Sequence, residues 1–496
     1  MQSLDGGVLP AIEGVEVPAY DRSAVRVGMV HFGVGGFHRA HQAMYLDSLM
    51  NEGEAMDWGI CGVGVLPGDR RMQDVLTSQG GLYTLVVKQP DGTLEPRVIG
   101  SIVEYLFAPD DPEAVIEKMA AESTRIVSLT ITEGGYNIDQ VTGEFAEDTP
   151  AIGADLQAAA VPETVFGLVT EALARRRERG LPAFTIMSCD NIQGNGDTAA
   201  RTFTAFARLR DAARGDTGLA QWVEENVSFP NSMVDRITPA TSDEDRARLA
   251  DEFGLTDGWP VVCEPFTQWV LEDRFSAGRP PFEDVGVQLV EDVVPYELMK
   301  LRLLNAGHQA LGYLGFLAGH RYVHEVAGDP LFARFIRDYM DHEGTPTLSP
   351  VPGVDLDDYK TTLIERFANP GVADTLARIN FGSSDRISLW VLPVIRHQLA
   401  QGGEMERAAA VVAGWARYAE GVDEKGEPID VQDRLADTLV PLAKSQREDP
   451  LAFVRNTSVF GDLAENERFT EAYLWALDSL HTRGARATVE ALVARR

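Results

Sequence analysis

The sequence predicts an α/β fold in the first half of the chain and a mostly α-helical domain in the second half. Apolar, β-branched runs alternate with helical periodicity up to about residue 290, whereas helical patterns dominate from Pro295 onward. Such alternation builds a mostly parallel, doubly wound sheet that is covered on both faces. The 496 residues suffice for two or three domains. We therefore expect domains at residues 1–290 and 291–496.

The first half contains a series of candidate buried strands with helices between them. The strands are expected at residues 24–33, 58–66, 125–132 and 184–192, and the helices at 38–53 and 162–180. The stretch "LYTLVVKQPDGTLEPRVIG" at 82–100 has two short apolar runs around a Pro-Asp-Gly turn, which predicts an inserted hairpin.

The composition excludes several classes of function. The chain has 44 Lys and Arg against 76 Asp and Glu, a net charge of −32, which opposes binding to polyanions such as nucleic acid or anionic membranes. The three cysteines are widely separated and lack metal or disulfide spacing, which fits a reducing cytoplasm. The most apolar stretch, at 310–319, is too short to span a bilayer. We expect a cytoplasmic protein with no nucleic-acid or membrane partner.

A glycine turn lies between the first strand and the first helix, in "VHFGVGGFHRAH" at 30–41. Glycines there allow a sharp turn and a close approach of a pyrophosphate, as in Rossmann-type dinucleotide sites. The third glycine of the usual pattern is replaced by His38, and Arg39 could add a positive charge near the phosphates. The alternative is an ordinary tight turn. The expected cofactor contacts are Gly33, Val34, Gly35, Gly36, Phe37, His38 and Arg39.

Asp69 follows the second strand, in "LPGDRR" at 66–71. A carboxylate there can accept a hydrogen bond from a ribose 2′-hydroxyl, which favours NAD over NADP. The adjacent Arg70 and Arg71 could do the opposite, and Asp69 could instead cap the next helix. We expect Asp69 to contact NAD.

Two further strands end in polar residues. "SLTITEGGYN" ends in Thr132 and Glu133, which we expect near the cofactor, and "TIMSCDNIQGNG" ends in Asp190 and Asn191. Ligands bind beyond the carboxyl ends of strands in such sheets, so Asn191 would present its amide near the nicotinamide. An Asn that only initiates a turn is the alternative.

The stretch "YELMKLRLLNAGHQ" at 296–309 places four polar residues on an apolar helix. With about 100° per residue, Glu297, Lys300, Asn305 and His308 fall within an arc of about 140°. Neighbouring apolar residues favour a lined cleft over a solvent-facing stripe. A desolvated lysine has its pKa lowered toward neutrality, which suits a general base. Amides can stabilise an oxyanion, and none of these roles requires a metal.

Together these motifs resemble those of the polyol-specific long-chain dehydrogenases. The resemblance covers nearly the whole chain and includes "GVGGFHRAHQAMY", "TITEGGYN", "CDNIQGNG", "FPNSMVDRITP", "EPFTQWVLED" and K-x(4)-N-x(2)-H. It implies a Rossmann domain, a helical domain and an active site between them. Family members are frequently monomers.

The resemblance also implies roles for individual residues. Lys300 is the general base, Asn191 and Asn305 are oxyanion donors, His308 binds a substrate hydroxyl, and Glu297 relays the proton to solvent. The substrate contacts are Asp235, within "VDRITP", and Arg378 and Arg386, within "ARINFGSSDR". Family members often have a lysine at the position of Arg386, and an acidic residue where this chain has Phe381.

The implied reaction is the NAD-dependent, metal-independent oxidation of a linear polyol, D-mannitol, to the ketose D-fructose, and its reverse. The alternatives in the same family are a D-arabinitol 4-dehydrogenase and a fructuronate or tagaturonate reductase, because Arg378 and Arg386 could hold a carboxylate. A regulatory protein that binds NADH without turnover is the alternative from another class.

Overall fold

The computed structural model describes residues 2–4, 9, 14–139, 143–157, 160–215 and 218–494. It divides into two compact units, Met1–Val293 and Val294–Arg496. Across these described ranges, no helix combines the length and apolar character needed to cross a lipid bilayer.

The first unit contains the strands and ten of the described α-helices. The strands are β1 Gln2–Ser3, β2 Val27–Phe32, β3 Gly59–Gly64, β4 Tyr83–Lys88, β5 Leu94–Ile99, β6 Ile102–Phe107, β7 Ile126–Leu129, β8 Thr185–Ser188, β9 Ser232–Asp235, β10 Leu255–Thr256, β11 Val261–Cys263, β12 Gln268–Glu272 and β13 Gln288–Val290. The helices are α1 Gly36–Ala40, α2 Gln42–Asn51, α3 Arg70–Ser78, α4 Pro112–Ala120, α5 Thr132–Gly135, α6 Pro150–Asp155, α7 Val165–Glu178, α8 Asn195–Arg214, α9 Leu219–Asn226 and α10 Asp243–Phe253.

The second unit is helical. Its α-helices are α11 Val294–Met299, α12 Ala306–Leu317, α13 Val323–Ala327, α14 Pro330–Tyr339, α15 Leu356–Phe367, α16 Leu376–Ile379, α17 Ser383–Arg386, α18 Leu392–Gln401, α19 Glu406–Tyr418, α20 Ala436–Lys444, α21 Thr457–Phe460 and α22 Glu467–Ala494. Three segments are π-helical, Lys300–Asn305, Met340–Gly344 and Ile387–Val391.

The main sheet of the first unit has the order β6-β3-β2-β7-β8, and all its strand pairs are parallel. Side chains alternate along β2, so Val30 and Phe32 join one apolar core while Met29 joins another on the opposite face. Both faces of the sheet are therefore covered. This α/β first unit and the helical second unit confirm the predicted fold class.

The predicted hairpin is present, with β4 and β5 antiparallel and Lys88 opposite Leu94. The sequence did not lead us to expect the second small sheet, β13-β12-β9, in which β9 ends at Asp235. The single helix predicted at 38–53 is also wrong in one respect. It is broken at His41, whose backbone lies at φ −128° and ψ −91°, and it forms α1 and α2.

The helix predicted around residues 296–309 is continuous but is not α-helical throughout. The six residues Lys300–Asn305 form a π-turn between α11 and α12, and the amide of Ala306 donates to the carbonyl of Leu301, five residues earlier. The hydroxyl of Tyr339 donates to the carbonyl oxygen of Arg302 at 3.2 Å, which satisfies a backbone group within the turn. The angles predicted for an α-helix therefore do not apply beyond Lys300.

Candidate functional site

Three strands of the main sheet end together. Phe32 of β2 is opposite Leu129 of β7, and Leu129 is opposite Ser188 of β8. The segments that follow these strands therefore leave the sheet at the same carboxyl edge. The chain proceeds from β2 to β3 and β6 on one side and then crosses to β7 and β8 on the other. Such a reversal of strand order is where parallel α/β sheets bind their ligands.

Gly33 is required by the turn itself. Its φ is +89°, and a Cβ atom there would lie 2.0 Å from the carbonyl oxygen of Thr130. The hydroxyl of Thr130 donates to the carbonyl oxygen of Gly33 at 2.7 Å. The glycine turn is thus packed directly on the segment that follows β7, and a side chain at position 33 has no room.

Gly35 and Gly36 are not required by the fold in the same way. A Cβ at Gly35 would meet only the carbonyl oxygen of Gly33, at 3.8 Å, and one at Gly36 would make ordinary contacts at 3.6 Å and beyond. Gly35 is exposed and adopts an extended φ of −95° that any residue tolerates. Glycine here leaves backbone open to a ligand, which fits a dinucleotide pyrophosphate. Val34 and Phe37 flank this opening in sequence.

His38 occupies the position of the third glycine in the usual dinucleotide pattern, and its side chain packs the helix against the strand. Its ring stacks on that of His31 in β2, with centroids 3.4 Å apart and an interplanar angle of 11°. Both side chains are fully buried. Burial lowers the pKa of His31 to about 3 and that of His38 well below its ordinary value, so both rings are neutral at pH 7. The side chain of His38 therefore joins helix to strand, which leaves only its backbone for the predicted contact with the cofactor.

Arg39 is also buried beneath the turn. The side chain is only 2% exposed, and its guanidinium donates to the carbonyl oxygens of Gly35 and Trp259. The hydroxyl of Tyr83 donates to the carbonyl oxygen of Arg39 at 2.6 Å. A guanidinium held in this way supports the turn through its backbone carbonyl oxygens and makes no direct contact on the open side of the turn.

Asp69 is oriented by the backbone at the end of β3. Its Oδ2 accepts from the amides of Val65 and Leu66, both at 2.9 Å. The bond from Leu66 caps the 3-10 turn Pro67–Asp69, which runs directly into α3, so Asp69 also acts partly as the predicted helix cap, although it makes no side-chain cap to α3 itself. A Cβ at Gly64 would lie 2.7 Å from the Cβ of Asp69, so the glycine allows the carboxylate to sit against the strand end.

The turn after β7 is held by Asp190, which follows β8. Its carboxylate accepts from the amides of Ile131 at 3.1 Å and Thr132 at 2.7 Å, and from the hydroxyl of Tyr136 at 2.7 Å. Thr132 has a φ of +63°, an uncommon conformation for a residue other than glycine. Asp190 therefore compensates this strain and presents Thr132 and Glu133, both exposed, at the edge of the sheet.

We expect Asp190→Asn to change the pH dependence of stability. Burial raises the pKa of Asp190 to about 6, although hydrogen bonds from Tyr136, Thr132 and Ile131 oppose the shift. The folded protein binds this proton more tightly than the unfolded chain does. The resulting stabilisation of the fold is fully present below pH 3.8, the ordinary pKa, and is lost as pH rises through about 6. The difference in unfolding free energy between native and variant proteins should fall by up to roughly 3 kcal/mol from pH 4 to pH 7. Denaturant titrations across that range measure it, and a constant difference would contradict this assignment.

Two further predicted residues of the first unit lie at strand ends. Asn191 is exposed immediately after Asp190. Asp235 is the last residue of β9 and is buried, at 4% exposure. The next residue, Arg236, donates to the carbonyl oxygen of Ala40 at 2.8 Å, so the end of β9 is tied to the end of α1. The structure thus holds Asp235 near the helix that follows the glycine turn.

The second unit contains the polar group on the helix from α11 to α12. Glu297, Lys300, Asn305 and His308 are all buried, with exposures of 7%, 7%, 5% and 8%. The wider π-turn brings Asn305 closer to the side of Lys300 than the 140° predicted for an α-helix. The ring of His308 packs 4.3 Å from that of Phe367.

The side-chain amide of Asn305 has a donor without a partner. The Nδ2 of Asn305 is buried and has no hydrogen-bond acceptor among the residues that the structure describes. A buried amide donor without an acceptor costs roughly 1–3 kcal/mol, so such atoms call for an explanation. An oxygen atom of a ligand would satisfy it.

The two predicted substrate arginines make hydrogen bonds to other groups of the protein, and the side chain of Arg378 is 53% exposed. Arg378 donates through Nε to Asp374 at 2.6 Å, and Arg386 donates to the carbonyl oxygen of Ile379 at 2.6 Å. Arg378 also lines an open cavity of about 300 Å³ together with Phe381 and other residues, whereas Arg386 does not.

Sequence reasoning missed the roles of His31 and Asp190. A histidine within an otherwise apolar strand was the available signal for His31, whose ring contacts Ser128 at 2.8 Å and Thr130 at 3.0 Å. Among the described residues, no group of three or more His, Cys, Asp or Glu side chains is arranged to hold a metal ion.

Comparisons with known proteins agree with this arrangement. A family model for the mannitol dehydrogenase Rossmann domain matches residues 27–284, and one for the mannitol dehydrogenase C-terminal domain matches residues 292–481. The chain is 49% identical to a mannitol 2-dehydrogenase of Phaeosphaeria nodorum, over 97% of this chain and 84% of that protein. It is 48% identical to one from Aspergillus fumigatus, over 96% and 95% of the two chains.

Solved structures are also similar. A Pseudomonas fluorescens mannitol 2-dehydrogenase, in a ternary complex with NAD and D-mannitol, matches with a TM-score of 0.90 and 47% identity, covering 100% of both chains. A D-sorbitol dehydrogenase in substrate-free form matches with a TM-score of 0.88 and 38% identity, over 97% and 98% of the chains. The resemblance predicted from the motifs is confirmed, and the chain belongs to the mannitol dehydrogenase family.

Proposed function

We propose that this protein oxidises D-mannitol to D-fructose with NAD⁺ and catalyses the reverse reduction. The observation that carries the proposal is the buried polar group of Lys300, Asn305 and His308 on one helix, with an unsatisfied amide donor at Asn305. A mannitol 2-dehydrogenase that matches this chain over 100% of both chains has been solved with NAD and D-mannitol.

The cofactor site that we propose is the carboxyl edge of the main sheet. The open backbone at Gly35 and Gly36 accommodates the pyrophosphate, and the oriented carboxylate of Asp69 accepts from a ribose hydroxyl. Thr132 and Glu133 are presented at the same edge by Asp190. When bound, NAD⁺ supplies the hydride acceptor.

The protein moves the proton. Lys300, buried at 7% exposure, accepts the proton of the reacting hydroxyl as general base. The Nδ2 of Asn305 donates to the same oxygen as negative charge develops on it, which satisfies the donor in the reacting state. His308 orients a hydroxyl, and Glu297, within one turn of Lys300, passes the proton toward solvent. This scheme requires no metal ion.

The remaining predicted roles stay part of the proposal. Asn191 is the second oxyanion donor, and Asp235 binds substrate hydroxyls. Arg378 and Arg386 contact the substrate. Asp374 already engages the guanidinium of Arg378, which makes Arg378 a poorer carboxylate ligand and disfavours a hexuronate substrate.

A panel of substrates tests the proposal. We expect kcat/KM with NAD⁺ to be highest for D-mannitol, lower for D-arabinitol and D-sorbitol, and lowest for D-mannonate. One missing or inverted hydroxyl should cost roughly 1–3 kcal/mol of transition-state binding, because it leaves a buried polar group unpaired. Initial rates of NADH formation measure this order. A preference for D-mannonate or D-sorbitol would overturn the choice of substrate.

A further inference from the structure

The end of β3 presents contradictory signals for cofactor choice. Asp69 favours a ribose 2′-hydroxyl, whereas an arginine at this place commonly accommodates the 2′-phosphate of NADP. Arg70 and Arg71 follow Asp69 directly. The sequence alone does not say which charge a cofactor meets.

The structure shows how Arg70 is occupied. Its guanidinium binds both carboxylate oxygens of Asp110, with Nη1 at 2.5 Å from Oδ2 and Nη2 bound to Oδ1. Nη1 also donates to Gln73 at 2.9 Å. The guanidinium carbon lies 4.1 Å from the ring centre of Phe107, the last residue of β6. The planar fork of Arg70 is therefore fixed by a carboxylate and an aromatic face.

This pair lies where the protein would contact the 2′-substituent of the cofactor ribose. β6 pairs with β3 in parallel, and Gly64 is opposite Phe107, so Asp110 leaves the sheet at the same edge as Asp69 and Arg70. The guanidinium carbon of Arg71 lies 4.2 Å from the ring centre of Trp259, so this second arginine is also stacked.

We infer that Asp110 is a specificity-determining residue that excludes NADP by occupying Arg70. A 2′-phosphate would need the same bidentate fork and would have to displace the carboxylate. Asp110 also adds a negative charge beside Asp69, and both repel a phosphate dianion. A 2′-hydroxyl needs no cation and is unaffected. This inference rests on the proposed use of NAD by this chain.

The size of the effect follows from exposure. The side chains of Arg70 and Asp110 are 45% and 51% exposed, so solvent weakens the pair and a ligand can reach it. For Asp110→Asn we expect kcat/KM with NADP⁺ to rise roughly five- to tenfold, and the dissociation constant of NADPH to fall by a similar factor. Values for NAD⁺ and NADH should stay within about twofold.

Two further variants make the test specific. The double variant Arg70→Gln/Asp110→Asn has the same net charge as the native pair but lacks the guanidinium of Arg70. The rise in kcat/KM with NADP⁺ should therefore disappear. Asp57→Asn is a matched control, because Asp57 binds Arg125 at 2.8 Å and Arg125 stacks on Trp58, but this pair precedes β3 at the opposite end of the strand. It should leave the cofactor ratio unchanged.

The binding and kinetic measurements separate the possible failures. NADPH dissociation constants come from the fluorescence of the bound nicotinamide, and kcat/KM comes from D-mannitol oxidation by the intact protein. The role of Asp110 would be overturned if Asp110→Asn left the affinity for NADPH unchanged. It would also be overturned if the improved use of NADP⁺ persisted in the double variant. Absent turnover of D-mannitol with NAD⁺ in the native protein would instead overturn the proposed function, while the NADPH comparison would still report on Asp110.

Discussion

Lys300→Ala is expected to lower kcat for D-mannitol oxidation by about 10²- to 10⁴-fold, the usual contribution of a positioned proton acceptor. The side chain lies in the π-turn between α11 and α12 and is 7% exposed, so water is a poor substitute. The cofactor site that we propose belongs to the first unit, so the dissociation constant of NADH should be nearly unchanged. Steady-state rates and fluorescence titration of NADH measure the two quantities separately.

A second buried lysine of the same unit provides the control. Lys360 is 6% exposed and binds Asp341, which Arg337 also contacts at 2.8 Å. Lys360→Met removes a buried ammonium and leaves Asp341 with a partner. It should lower the melting temperature and preserve kcat at 25 °C. Equal losses of kcat in both variants would show that Lys300 acts only through stability.

Gly33→Ala is expected to destabilise the first unit by roughly 2–5 kcal/mol, because a left-handed backbone and a steric clash both oppose the methyl group. The φ of +89° disfavours any L side chain, and the added Cβ would lie 2.0 Å from the carbonyl oxygen of Thr130. The hydrogen bond from Thr130 to Gly33 would be strained as well. Denaturant unfolding, followed by tryptophan fluorescence, measures the loss.

Gly35→Ala is the matched comparison two residues away. Its φ of −95° accepts an alanine, and the nearest atom to the added Cβ lies at 3.8 Å. Stability should change by less than about 0.5 kcal/mol, whereas the dissociation constant of NADH should rise roughly tenfold as the methyl group holds the phosphates away from the backbone. An unchanged affinity for NADH would show that the pyrophosphate does not bind at this turn.

Local periodicity was sufficient to predict the fold class. The runs at β2, β3, β7 and β8 are apolar and short, and each is followed by helical spacing, which is the pattern of a covered parallel sheet. The glycine turn was recognisable because it falls between such a strand and helix. Glycine spacing alone did not reveal that the turn requires a glycine at position 33, whereas Gly35 leaves the backbone open to a ligand.

Long-range partners explain most of what the sequence did not reveal. The guanidinium of Arg39 donates to the carbonyl oxygen of Trp259, 220 residues away, so its burial has no local signal. Arg70 and Asp110 are 40 residues apart, and only the pairing of β3 with β6 brings them together.

The π-turn has a different cause. A helical wheel assumes a fixed rotation per residue, and apolar spacing does not show where backbone hydrogen bonds shift from four residues to five. The polar group on this helix was therefore predictable as a set, whereas the face of Asn305 was not.

Rescue of Lys300→Ala by a small primary amine is the most direct test of the claim that this side chain takes the substrate proton. Truncation to alanine leaves space in which methylamine can supply the missing nitrogen base. We predict that kcat of this variant rises with the concentration of free methylamine, while Asn305→Ala, which keeps the lysine, does not respond. Native-like turnover of Lys300→Ala without amine, or equal acceleration of both variants, would contradict the account.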